Sequence, residues 1–160
     1  MMRGMEDHAA RDRARARAII EANLYMVLGT ADEAGTPWVS PVYFAVVDHR
    51  EFLWVSAPEA RHSRNLGVRP EVSLVVFDSS VAIGQGRGVY MSAVAEELGC
   101  EDAERGIEVF SQRSLAHGGV AWDVLDVYPP ARHRLYRATA RDHFVLDDRD
   151  HRVPVTLDRL

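Results

Sequence analysis

The chain has 160 residues, 47% of them hydrophobic and 27% charged, and its 24 acidic against 19 basic side chains give a formal net charge of -5. That length suits one domain burying about two thirds of its unfolded surface, and the acidic balance argues against a general affinity for nucleic acid or anionic membranes. Every basic residue is Arg and none is Lys, which excludes Schiff-base and lysine acid/base chemistry, while a lone Cys100 excludes an internal disulfide and a cysteine metal cluster.

Residues 6–23 predict a helix rich in Ala and Arg, with Ala16, Ile19 and Ile20 on one apolar face and the Arg11 to Arg17 series solvated on the other. The first residues hold no apolar run of signal-peptide type, and no stretch approaches bilayer-spanning length, so a cytoplasmic protein is expected. Residues 1–24 read as this helix, and 25–160 as the rest of a single domain.

Residues 25–30 form a short apolar strand, and Asp32-Glu33-Ala34-Gly35 supplies a turn with glycine available for a positive φ. Residues 37–47 then alternate with both faces largely apolar, which predicts one long strand with Trp38 in the core; Pro41 has no N–H and marks an edge or a bulge within it. Asp48-His49-Arg50 turns the chain into a strand over 52–56, where Trp54 is a second core tryptophan. Ala57-Pro58 ends that strand and delivers a polar cluster, Arg61, His62, Ser63, Arg64 and Asn65.

Residues 61–67 read as a short helix, with Gly67 as a left-handed cap and Pro70 soon after. Free N–H groups in its first turn, an Arg fork, a His and a Ser hydroxyl together suit a phosphate dianion. The competing reading is an ordinary connecting helix with solvated Arg and His.

A strand over 71–78 follows, then a glycine-rich connection at 79–88 that lacks the Lys and Ser/Thr of a nucleotide loop, then a strand over 89–98. Helical spacing returns over 101–117, where an acidic start suits the helix dipole and Gly118-Gly119 supplies the stop. Residues 120–127 suggest a short helical turn carrying Trp122, and Tyr128-Pro129-Pro130 predicts extended backbone. A long strand over 132–146, a polar turn at 147–152 and a last short strand over 153–157 complete the chain. His151 among the turn aspartates reads as a solvated loop before it reads as a metal ligand. The order, with short hairpin connections, predicts an α+β protein that is mainly β: an antiparallel barrel with flanking helices.

From about Tyr25 to Tyr136 this order and spacing resemble the flavin-binding split-barrel family, the group that includes pyridoxamine phosphate oxidase, and the resemblance implies a six-stranded split β-barrel with flanking helices. The most specific part is the strand end Val55-Ser56 followed five positions later by Arg61-His62. In that family a hydroxyl residue and a basic pair at these places serve a flavin mononucleotide (FMN) phosphate, and Ser63 adds a hydroxyl. The segment Val39, Ser40, Pro41, Val42 and Tyr43 resembles the one whose backbone passes along the flavin ring. Gly88 resembles the position from which the partner subunit reaches the cofactor, and Tyr136 falls roughly where the oxidase has a tryptophan.

The resemblance therefore implies an FMN-dependent oxidoreductase with its flavin at a homodimer interface and a small-molecule substrate. The lysines of the oxidase proper are absent, as is a match to its C-terminal arginine-and-histidine segment, which argues against oxidation of vitamin B6 phosphates. Two alternatives share the fold. One is a deazaflavin-dependent reductase, with Arg64, Arg69 and Arg87 near the coenzyme's acidic tail. The other is a non-catalytic flavin- or haem-binding protein, with His62 or His117 as the iron ligand.

Overall fold

The apolar alternation between residues 25 and 43 becomes a hairpin. In the computed structural model, which describes residues 2–157, β1 (Tyr25–Ala31) runs antiparallel to β2 (Pro37–Tyr43), with Leu28 opposite Ser40 and Thr30 opposite Trp38. Asp32 builds the turn between them. Its carboxylate accepts the Thr36 N–H at 2.9 Å and its carbonyl accepts the Gly35 N–H at 2.9 Å. Gly35 sits at φ +87°, where a side chain would be strained.

The single strand expected over 37–47 is broken at Phe44. Its side chain is fully buried and its N–H bonds to the Leu24 carbonyl at 3.2 Å, so the ladder stops there. Before the break β2 pairs with β1; after it β3 (Ala45–Val47) pairs with β4 (Glu51–Ser56). With β5 (Glu71–Phe77), β6 (Gly88–Glu97) and β7 (Arg134–Leu146), the order is β2-β1-β5-β6-β7-β4-β3, and β8 (Arg152–Val155) pairs with β7.

β2 and β3 stand at opposite ends of this path yet adjoin in the chain, so the sheet must curl until its edges meet. Taken as one broken strand they give the six-stranded barrel expected, with β8 added to it. Closure is incomplete, because β2 and β4 form no ladder with each other. That seam is the split.

Three helices flank the barrel. α1 (Met2–Ala22) buries Ala16 and Ile20 among Met26, Leu28, Phe44, Phe52 and Trp54. Further on, α3 (Cys100–Ala116) lays Ala103, Ile107 and Phe110 on Ala45, Leu53 and Leu135. It stops where expected, with Gly118 at φ +78°. The third, α2 (Arg61–Val68), lies over the seam. Among the described residues no helix is long and apolar enough to cross a membrane.

Three local expectations need correction. Gly67 lies inside α2 and takes no left-handed conformation; the helix ends because Arg69 turns extended, at φ -132°, with its N–H on the Asn65 carbonyl at 2.8 Å. Residues 128–130 form a turn rather than extended backbone, with a cis Pro129–Pro130 bond and the Ala131 N–H on the Tyr128 carbonyl at 2.9 Å. Trp38 is not a core residue; it is 42% exposed, because the inward face of β2 opens at the seam.

Candidate functional site

The polar cluster begins where Ala57-Pro58 takes the chain off β4 and ends on a helix of eight residues. Two contacts hold α2 down. Asn65, which is buried, donates from Nδ2 to Thr30 Oγ1 at 3.1 Å, and the Thr30 hydroxyl donates to the Trp38 carbonyl at 3.3 Å. At the far end Arg69 donates to the carbonyls of Asp32 and Glu33, at 2.7 and 2.9 Å. The helix is thereby tied to both β1 and the β1–β2 turn.

His62 crosses the seam. Its Nδ1 lies 3.2 Å from Ser40 Oγ on β2 and its Nε2 lies 2.8 Å from Ser56 Oγ on β4. Burial pushes the His62 pKa below its ordinary 6.5, so the neutral ring is favoured. Ser40 also accepts from the Trp38 indole N–H at 3.1 Å, and the Arg61 guanidinium rests over the Trp38 ring at 4.3 Å from its centroid.

α2 has no side-chain cap at its N-terminus, so its first-turn N–H groups are available to a ligand. Ser63, in that turn, is only 6% exposed and its hydroxyl has no hydrogen-bond partner. It lies beside the Tyr136 phenol, near enough to affect that group's ionisation without a well-formed bond. Burial pushes the Tyr136 hydroxyl above its usual range. Asp32 is held below the usual carboxylate range, first by the Thr36 backbone N–H and more weakly by the charge of Arg61.

The seam thus collects Ser40, Ser56, Arg61, His62 and Ser63. The other expected positions divide differently. Val39 and Pro41 face outward and are exposed, whereas Val42 is in the core. Tyr43 turns away to α3, with its hydroxyl 3.1 Å from His117 Nδ1 and its ring edge-on to Tyr25 and Phe110. Val55 packs against the α3 cluster. Tyr136 is a core residue stacked on Trp54 at 5.6 Å. Gly88 stands opposite Phe77, at the end of β5 remote from α2.

Of the remaining candidates, Arg69 is engaged as described, and Arg87 pairs with Asp148 at 3.7 Å and bonds to the Gly86 carbonyl. Asp147 organises its turn by accepting the N–H groups of Arg149 and His151 at 2.8 and 2.9 Å. Trp122 packs edge-on to Phe110 and His133. The residue that sequence reasoning missed is Trp38. Its spacing of two from Ser40 puts both on one strand face, a signal that was present but outweighed by its hydrophobicity.

The donor set fits a phosphate dianion: a guanidinium, hydroxyls and uncapped helix N–H groups, with the Asp32 carboxylate near enough to Arg61 to feel its charge. A cavity of about 370 Å³ lies elsewhere, between Arg50, Arg141, His143 and Thr156. With Trp38 42% exposed, the seam is open to solvent in the single chain.

A family model described as Pyridoxamine 5'-phosphate oxidase matches residues 13–142. A comparison with curated protein sequences finds no match. Among solved structures, a heme binding protein from Mycobacterium smegmatis superposes with a TM-score of 0.71 at 16% identity, covering 93% of this chain and 58% of the other. HutZ, the heme storage protein from Vibrio cholerae, gives 0.63 at 22% identity, covering 80% and 89%. An F420 reductase gives 0.55 at 18% identity, covering 75% and 88%. At these identities the similarity is one of fold.

Proposed function

The chain belongs to the pyridoxamine 5'-phosphate oxidase family, and from that premise we propose that it is a dimeric FMN-dependent oxidoreductase acting on a small molecule in the cytoplasm. The observation that carries this reading is the donor cluster at the seam, above all the Arg61 guanidinium and the Ser56 hydroxyl with the uncapped start of α2. Arg61 would pair with the FMN phosphate, with Ser56 and Ser63 donating hydroxyl protons. When bound, the flavin supplies the redox chemistry. The chain's own part is to bind and orient the cofactor, with backbone groups near Ser40 to Tyr43 available to its ring.

A second copy completes the site in this reading. The outer sheet face carries Pro41, Val27, Val75 and Tyr90 in one register row, with Val39 65% exposed beside it. An apolar row of this kind on the water side of an antiparallel sheet suits a partner. Gly88 of the partner subunit would then approach the flavin, as the family resemblance implies.

The deciding test is the visible spectrum of freshly purified protein, followed by denaturation and identification of what is released. Flavin bands and released FMN are expected, and both should be diminished in Arg61→Ala. A colourless protein that takes up no FMN overturns the proposal.

Two similar folds are named for heme, which favours heme as the second reading. Both ring nitrogens of His62 are engaged with serines, which leaves His117 as the ligand candidate through Nε2. A Soret band that disappears in His117→Ala would replace the flavin assignment. The F420 reductase likeness supports testing the deazaflavin coenzyme beside FMN on stripped protein, with exposed Arg64 near its acidic tail.

A further inference from the structure

The hydrogen-bond chain across the seam has a direction that Trp38 biases. An indole N–H only donates, so Ser40 Oγ, 3.1 Å away, accepts from it. With one of its two lone pairs so occupied, Ser40 becomes the stronger donor, and its proton turned toward His62 Nδ1 at 3.2 Å is the favoured arrangement. A neutral imidazole that accepts at Nδ1 carries its proton on Nε2, which donates to Ser56 Oγ at 2.8 Å. Ser56 is thus an acceptor toward His62 and keeps its own proton for a different acceptor. In the opposite tautomer Ser56 would donate to Nε2 and have nothing left to offer. The same Trp38 carries the Arg61 guanidinium on its ring face at 4.3 Å.

We propose that Trp38 is the positioning residue of the seam: its N–H sets the Ser40–His62–Ser56 chain so that Ser56 enters the site as a donor, and its ring face holds Arg61 as the second donor. This rests on the reading of the seam as the receptor for the FMN phosphate. Arg61 and Ser56 are then both donors to the ligand, which suits a group made only of acceptors. The consequence is discrimination between FMN and riboflavin, which differ by that phosphate, rather than affinity for the flavin ring. Trp38 does so without touching the reacting atoms.

The test has a spectroscopic arm and a binding arm. Nitrogen-15 NMR of the wild-type histidines at about pH 8 should give His62 as the Nε2–H tautomer; the Nδ1–H tautomer overturns the proposal. Trp38→Phe keeps a ring face for Arg61 but removes the N–H, and should give a mixture of tautomers and FMN affinity weakened by about threefold to tenfold. Trp38→Leu removes both supports and should weaken FMN by a further few-fold. Riboflavin affinity should stay unchanged in both variants. An equal loss for riboflavin would mean that Trp38 contacts the ring, and overturns the proposal. Because Trp38 is largely at the surface, circular dichroism melts of the variants should match wild type. If wild type itself fails to prefer FMN to riboflavin, the phosphate reading falls and this inference with it. Discrimination that persists undiminished in Trp38→Leu overturns the inference alone.

Discussion

At the scale of single residues, Arg61 and His62 are neighbours in sequence with opposite electrical roles. The Arg61 guanidinium rests on the aromatic face of Trp38. Removing it should cost roughly one charge-assisted hydrogen bond, so Arg61→Ala should weaken FMN by about tenfold to a hundredfold in a calorimetric titration. His62 loses solvation at the seam, so its folded pKa lies below the unfolded 6.5. A lowered pKa means that the unfolded chain binds the extra proton. The stability tied to the neutral ring is therefore complete above about pH 6.5 and is lost as pH falls through the lowered value. Urea midpoints should drop between pH 8 and pH 5 more in wild type than in His62→Gln, which keeps both serines within reach of a hydrogen-bonding side chain. The ring is only half-buried, and solvent screening keeps this to a shift of midpoint. An equal drop in both proteins would remove His62 as its source.

At the scale of elements, the site depends on how α2 and α3 are fastened to the barrel. α2 is short and uncapped, so it owes its position to tertiary contacts rather than to propensity. Asn65→Leu deletes the bond to Thr30 and leaves that hydroxyl only the Trp38 carbonyl, which should cost about 1 kcal/mol in thermal unfolding and loosen FMN as well. A stable variant with unchanged FMN affinity would show that α2 is held elsewhere. Farther from the seam, Arg137 on β7 reaches Glu51 of β4 at 3.2 Å, Glu96 of β6 at 2.7 Å and Asp102 of α3 at 3.6 Å. Breaking this hub leaves three carboxylates facing one another, and Arg137→Ala should destabilise the fold by about 2 kcal/mol without altering cofactor affinity.

At the scale of the whole molecule, a barrel that fails to close has two unsatisfied surfaces, the seam and the apolar row on the outer face. A second copy seated on that row would shield it. Light scattering should give twice the chain's 17.9 kDa. Val39→Asp puts a charge into the row and should yield monomer that releases FMN more readily. A wild-type monomer at micromolar concentration would count against the shared site, while a dimeric Val39→Asp protein would place the interface on another face.

Much of this was legible along the chain because it is local chemistry. Period-two alternation announced the strands, Gly35 and Gly118 stood where φ turns positive, and the spacing from Ser56 to Arg61-His62 named the helix that carries the donors. The order and spacing of these elements carried the resemblance to the family, to which the match over residues 13–142 assigns the chain. Only the tertiary structure decided that 37–47 breaks at Phe44, since the break is set by barrel curvature and by the bond to Leu24, neither of which is a property of the segment. It also decided which of Val39 to Tyr43 face the seam, that Gly67 is an ordinary helical residue, and that Trp38 leaves the core to lie under Arg61. Hydrophobicity gives a residue its preference for burial, but whether a neighbouring strand arrives to bury it depends on where the sheet closes, and here it stops one seam short.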